Sequence, residues 1–217
     1  MIKTDLQAVI WDFGGVLTSS PFEAFNRYEA ERGLPTDFIR SVNAVNGDTN
    51  AWAQFERNEV DAAAFNDLFR AEALAKGHDV PGSDVLALLA GAIRGAVVEA
   101  LKTCKHHVKV GCITNNVKSG KGAGMVQDAE KAKAVADIMG LFDHVIESSK
   151  VNLRKPDPRI YALMCEALDV DPKHCLYIDD LGINLKPARA MGMTTIKALS
   201  EAQILADLAA VTGYDLG

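Results

Sequence analysis

Four apolar runs, "AVIW", "VKVGCI", "HVIES" and "CLYI", recur along the chain with stretches of helical periodicity between them, and this alternation restricts the fold more than any other feature. A strand that stays apolar at successive positions is covered on both faces, as in a parallel sheet flanked by helices. A fifth run, "TTIKA", follows "MGM" and reads the same way. "AVVEALKTC" precedes the second strand, "DAEKAKAVADIM" the third and "PDPRIYALMCEAL" the fourth. Strand–helix alternation over this length predicts an α/β fold, a doubly wound parallel sheet whose ligands lie beyond the carboxyl ends of its strands.

One region breaks the alternation. From Thr18 to Gly91 the pattern is helical throughout, with no strand. Ser20 and Pro21 start "FEAFNRYEAERG", in which Phe22 and Phe25 share a face and Gly33 supplies a stop. Thr36, Asp61 and Ser83 are candidate caps for three further helices. The expected organisation is a Rossmann-like core from residues 1–17 and 92–217, with an inserted helical cap domain from residues 18–91. Phe38, Trp52, Phe55, Phe65 and Phe69 read as the core of that cap rather than as a ligand box.

Composition excludes several classes. Hydrophobic residues make up 48% of the 217, an ordinary globular share. The 29 acids and 23 bases give a formal charge of −6 without a block of like charge, so a nucleic-acid surface is not indicated. The most basic patch, "KTCKHHVK", reads as a solvated helix end, and His106, His107, His144 and His174 as surface or strand-flanking. Cys104, Cys112, Cys165 and Cys175 form no CxxC pair, which fits a reducing compartment. "MIKTDLQ" lacks a signal-peptide layout, and the apolar stretch ending before Arg94 is far short of the ~20 residues of a membrane span. A cytoplasmic location is the expectation, with no membrane or nucleic-acid partner.

Chemistry-bearing residues fall at the predicted strand ends. The first strand delivers Asp12, the second Thr114 and Asn115, and the fourth the pair Asp179 and Asp180, while Lys155 stands in the loop "LRKPDPRIY" before a helix. Each residue alone is a weak signal, because Asp, Asn and Thr also cap helices. Acids brought together raise one another's pKa unless a cation offsets them. Mg²⁺ does so, typically with one or two carboxylates, waters and phosphate oxygens. Lys155 and the Thr114 hydroxyl would then hold the oxygens of a transferring phosphoryl group, leaving Asp12 as the attacking nucleophile. Asn184 and Arg189 read as structural.

The order "DFGGVL", "ITNN", "RKPDPRIY" and "YIDDLGINLKPARAMGM" resembles the four motifs of the haloacid dehalogenase superfamily. Beyond the motifs, the chain is similar to the phosphatase domain that precedes the hydrolase domain in soluble epoxide hydrolase. It is also similar to the related domain joined to some acyl-CoA dehydrogenases. The resemblance implies that Asp12 is nucleophile and metal ligand and that Gly14 lends its backbone carbonyl to Mg²⁺. It further implies that Thr114 and Asn115 bind phosphate and that Lys155 steadies the nucleophile and the phosphoryl charge. Asp180 would bind the metal directly and Asp179 would stand behind it. A cap inserted after the first motif is also a feature of the family.

Gly14 departs from the pattern. Phosphatases of the superfamily usually place an Asp there as general acid, a contribution worth ~10²–10⁴-fold. Three readings follow: a Mg²⁺-dependent phosphatase of small phosphorylated metabolites working through an aspartyl-phosphate; a carbon–halogen hydrolase, which also lacks the second acid; or a catalytically weak, phosphate-binding regulatory domain. The paired Asp179 and Asp180 speak against the second, and intact Asp12, Thr114, Lys155 and Asp180 against the third. The glycine-rich "NNVKSGKGAGMVQD" does not fit a phosphate-binding P-loop, since Asn115 stands where a glycine is needed and Gly122 follows Lys121. It reads as a flexible loop able to gate the site. The cap and this loop leave room for a homodimer.

Overall fold

The computed structural model describes residues 2–47, 49–56, 59–89, 91–115 and 129–216. The glycine-rich stretch from residue 116 to 128, with the gating and dimer roles expected of it, lies outside the described residues. Five parallel strands, β1 (Ala8–Trp11), β2 (Lys109–Thr114), β3 (His144–Glu147), β4 (Cys175–Asp179) and β5 (Thr194–Lys197), form one sheet in the order β3-β2-β1-β4-β5. The chain winds outward from β1 through β2 to β3, then returns to add β4 and β5 on the other side. That reversal makes the carboxyl ends of β1 and β4 a topological switch point, the usual place for a ligand crevice. All four residues of β1 are fully buried, as a central parallel strand requires.

The described residues form two compact units, which divide after Ser19 and after Gly91. The described residues of Ser20–Gly91 hold helices and no strand: α1 (Pro21–Glu31), α2 (Phe38–Asn43), α3 (Ala51–Glu56), α4 (Ala62–Ala75) and α5 (Gly82–Leu88). Its core gathers Phe25, Phe38, Ile39, Phe65 and Phe69, with Trp52 and Phe55 packed against it. Ser20 and Asp61 cap α1 and α4 as expected, accepting from the N–H groups of Phe22 and Ala64. Thr36 does not cap α2. The buried carboxylate of Glu29 does so from a distance, accepting from Asp37 N and Ile39 N at 2.9 Å each. Nor is Ser83 a cap: α5 begins at Gly82 behind Pro81, and the Ser83 N–H is met by Asn66 Oδ1 at 2.9 Å. In both cases a long-range acceptor replaces the local one.

The other unit holds the sheet, flanked by α6 (Gly95–Lys105), α7 (Ala129–Met139), α8 (Ser148–Val151), α9 (Pro158–Leu168), α10 (Gly182–Ala190) and α11 (Glu201–Thr212). One sheet face packs Val9, Trp11, Val110 and Ile178 against Val97 and Leu101 of α6 and Ile204 and Leu208 of α11. The opposite face packs Ile10, Ile113 and Tyr177 against Ile160, Tyr161 and Met164 of α9 and Leu185 of α10. Gly111 lets α9 approach closely, since a Cβ there would stand 2.6 Å from Met164 Sδ. A short antiparallel contact, Thr18 with Ile93, draws together the two points where the core chain leaves and returns. All four cysteines are free and buried. Among the described residues no helix is long and apolar enough to cross a membrane.

Candidate active site

Three adjacent central strands bring their carboxyl ends together, and the polar groups follow from that register. β1 ends at Trp11, paired with Cys112 of β2 and Ile178 of β4, so the next residue, Asp12, emerges level with Ile113 and Asp179, one residue short of Thr114. The Asp12 N–H continues the ladder to Ile178 O at 2.8 Å. Its carboxylate then folds back over the turn, Oδ1 accepting from Phe13 N at 2.7 Å. Arg94, 7% exposed, donates to Gly15 O at 2.8 Å and so holds the turn that carries Asp12.

Lys155 joins the cluster from the loop before α9. Its side chain is 1% exposed, with Nζ 2.7 Å from Asp12 Oδ1 and 2.9 Å from Asp179 Oδ2. Asn115 fixes its backbone: Asn115 Oδ1 accepts from Lys155 N at 2.9 Å, and Asn115 Nδ2 donates to Lys155 O at 3.1 Å. The Asn115 side chain thus helps position Lys155, a use its sequence motif does not reveal. Thr114 stands half-buried at the end of β2.

Asp179 is fully buried and densely solvated by the protein. Oδ1 accepts from Leu181 N at 2.8 Å and Asn184 Nδ2 at 3.0 Å; Oδ2 accepts from Lys155 Nζ, Tyr177 Oη and Asn184 Nδ2. A carboxylate offers about four lone-pair sites, so Asp179 is saturated. Asn184, read from the sequence as structural, holds this carboxylate in place. Burial drives the electrostatics of the cluster. Desolvation, opposed by Lys155 and reinforced by Asp179, pushes the Asp12 carboxyl up to about 7. Burial alone would lower the Lys155 pKa, but the Asp12 and Asp179 charges outweigh it and the ammonium is held above its usual range.

Asp12, Asp179 and Asp180 each offer an oxygen, and these oxygens lie within 4.8 Å of one another. They are hard donors of the kind Mg²⁺ accepts. With Asp179 committed to its own hydrogen bonds, Asp12 and Asp180 are the pair suited to direct contact. Gly15 supports the same fit. Its φ of +76° suits glycine, and a Cβ there would fall 2.3 Å from Asp180 Oδ2. A bare backbone therefore makes room for the Asp180 carboxylate. Gly14 differs, since a Cβ built on it meets nothing within 4 Å.

The structure gathers Asp12, Lys155, Asp179 and Asp180, with Thr114, Asn115 and Gly14 on the flanking segments. The sequence reading passes over Gly15, Arg94 and Tyr177. The doubled glycine after Asp12 and the tyrosine inside "CLYI" were the available signals, whereas nothing local marks Arg94.

A family model described as haloacid dehalogenase-like hydrolase matches residues 6–192. Acyl-CoA dehydrogenase family member 10 of Mus musculus is 30% identical across 97% of this chain and 19% of its own length. Bifunctional epoxide hydrolase 2 of Mus musculus is 29% identical across 96% of this chain and 39% of its own length. The chain therefore spans well under half of either relative. A protein named Phosphatase MT3486, from Mycobacterium tuberculosis (strain CDC 1551 / Oshkosh), is 31% identical across 87% of this chain and 85% of its own length. A HAD-family enzyme of Bacteroides thetaiotaomicron, solved with magnesium and inorganic phosphate, shares the fold at a TM-score of 0.53 and 20% identity, over 88% of this chain and 93% of that one.

Proposed function

The chain belongs to the haloacid dehalogenase-like hydrolases, and from that membership and the geometry at the strand ends we propose that it is a Mg²⁺-dependent phosphatase of small phosphorylated metabolites. One observation carries the reading. A buried ammonium, Lys155 Nζ, is held between the carboxylates of Asp12 and Asp179, with Asp180 beside them. That is a positive group fixed against an attacking anion where negative charge must be neutralised.

In this reading Asp12 attacks phosphorus. The new bond forms between a carboxylate oxygen and phosphorus as the bond from phosphorus to the leaving oxygen breaks. Lys155 and the Phe13 N–H both engage Asp12 Oδ1, which leaves Oδ2 the better placed oxygen for attack. Water then cleaves the aspartyl-phosphate, releasing phosphate and restoring the carboxylate. The ammonium of Lys155 and the Thr114 hydroxyl hold phosphoryl oxygens, and Asn115 contributes by fixing Lys155 and through its backbone. Asp12, Asp180 and the Gly14 carbonyl would hold Mg²⁺, with Asp179 behind them, and the bound ion would offset the charge of the acids and of the phosphoryl group. Gly14 supplies no proton, so leaving groups that depart as stable anions are favoured. A cytoplasmic setting, where thiols stay reduced, suits the four free cysteines. A homodimer is part of the same proposal.

Gly14 is the observation that favours carbon–halogen hydrolysis, and the acid pair at Asp179 and Asp180 weighs against it. The deciding experiment offers an aryl phosphate with Mg²⁺, the same substrate with chelator, and a 2-haloacid without metal. Phosphate release that needs Mg²⁺ and disappears in Asp12→Asn supports the proposal. Metal-independent halide release overturns it. Binding of phosphate or Mg²⁺ without turnover across a phosphate panel overturns it in favour of a regulatory domain.

A further inference from the structure

We propose that Tyr177 is a positioning residue whose hydroxyl sets how Lys155 is shared between Asp12 and Asp179. The hydroxyl donates to Asp179 Oδ2, the same atom that Lys155 Nζ approaches at 2.9 Å. Asn184 Nδ2 also reaches this oxygen, at 3.1 Å, so three donors share it, and one of them, Lys155, is also bound to Asp12 at 2.7 Å. A carboxylate oxygen has about two lone-pair sites, so each donor it already accepts withdraws charge and weakens its pull on the next. Tyr177 thus leaves Lys155 drawn forward to Asp12. Without the hydroxyl, Oδ2 would draw the ammonium back.

The other bonds of Asp179 make Lys155 the movable part. Leu181 N and Asn184 Nδ2 pin the carboxylate from the α10 side. Tyr177 is itself fully buried, its ring 5.2 Å from Tyr161 in an edge-on contact, and the Tyr161 hydroxyl donates to Asn184 O at 2.7 Å. Strand, helix and both rings are locked, so a change in the charge at Oδ2 is answered by the lysine.

A buried tyrosine hydroxyl that simply finds the nearest acceptor is the plainer account. It differs in consequence. Phenylalanine fills the same space and leaves Asp179 with three donors, so under that account Tyr177→Phe is close to silent. Under the positioning role, a displacement of well under an ångström at a phosphoryl-binding ammonium reduces kcat, since a misplacement of about 1 Å can cost ~10²-fold.

The kinetic part of this inference rests on the phosphatase reading; the structural part does not. Lysine side-chain ¹⁵N resonances of the metal-free protein, assigned with Lys155→Arg, report the ammonium directly. Tyr177→Phe should shift the Lys155 signal, while Tyr161→Phe, whose hydroxyl adjoins that of Tyr177 but makes no direct contact with the Asp179 carboxylate, should shift it far less. In aryl-phosphate turnover with Mg²⁺, Tyr177→Phe should lower kcat about 3- to 10-fold at unchanged KM, with Tyr161→Phe within twofold of the parent. An unmoved Lys155 signal in Tyr177→Phe overturns the inference whatever the kinetics show. Equal losses in both variants, tracking Tm, overturn it in favour of packing. If the parent turns over no phosphate, the functional reading fails while the resonance still decides the role of Tyr177.

Discussion

Lys155 Nζ lies between Asp12 Oδ1 and Asp179 Oδ2, 2.7 and 2.9 Å away, with its own side chain almost wholly buried. One cation therefore serves two buried anions. Removing one partner of a buried ion pair typically costs ~3–5 kcal/mol, because the charge left behind is neither hydrated nor compensated. Lys155→Met should lower stability by that order and abolish turnover. Added Mg²⁺ should restore part of the stability, since a ligand bound only by the folded state stabilises it by mass action. Thermal melts with chelator and with Mg²⁺ check both effects, and an unchanged melt would contradict the pairing.

Asp12 gives a pH signature opposite to that of an ordinary salt-bridged acid. Its folded-state pKa is pushed up to about 7, chiefly by burial, whereas an unfolded Asp titrates near ~3.9. Between these values the folded chain keeps a proton that the unfolded chain has released. Stability of the metal-free protein therefore falls as pH rises through that window, and the loss is complete above about 7. Asp12→Asn removes the dependence. The variant should melt higher than the parent at pH 8 in chelator, match it near pH 4, and lose activity by on the order of 10⁴-fold or more. A parent that melts at or above the variant at pH 8 would refute the assignment.

The sheet and its polar edge were legible because both arise from local pattern. Continuous apolar runs mark strands buried on two faces, and the residue following each run marks its carboxyl end, which located Asp12, Thr114, Asn115, Asp179 and Asp180. What was not legible depends on contacts distant in sequence. Glu29 caps α2 from ten residues before Ile39. The guanidinium of Arg94 reaches a carbonyl 79 residues earlier, at Gly15. Asn115 shows that a motif can identify a residue without revealing every contact its side chain makes. Its amide makes hydrogen bonds to the backbone N–H and carbonyl of Lys155, 40 residues on.

Gly15 is a further constraint that residue type alone does not reveal. Its φ of +76° disfavours any side chain, and a Cβ would meet Asp180 Oδ2 at 2.3 Å. Gly15→Ala should therefore strain the backbone by ~1 kcal/mol or more and displace the Asp180 carboxylate. The expected result is a raised half-saturating Mg²⁺ concentration in the turnover assay, about tenfold or more, with a small drop in Tm. A variant with parental Mg²⁺ dependence would show that Asp180 does not need this space, and would remove Gly15 from the metal-site argument.

Gly14 permits a cleaner test, because a Cβ added there meets nothing within 4 Å and its backbone is outside the left-handed region. Gly14→Asp should fold, so its kinetics can be compared with those of the parent. A carboxyl two residues after the nucleophile can donate a proton to the departing oxygen, an effect of ~10²–10⁴-fold in established cases. An alkoxide needs that proton far more than a phenolate, which is already a good leaving group. The variant should therefore gain at least about tenfold on alkyl phosphates and little on aryl phosphates, narrowing the ratio between them. Equal gains on both classes would mean that the new side chain acts on binding or metal affinity, and that the absence of an acid at residue 14 is not what limits this site.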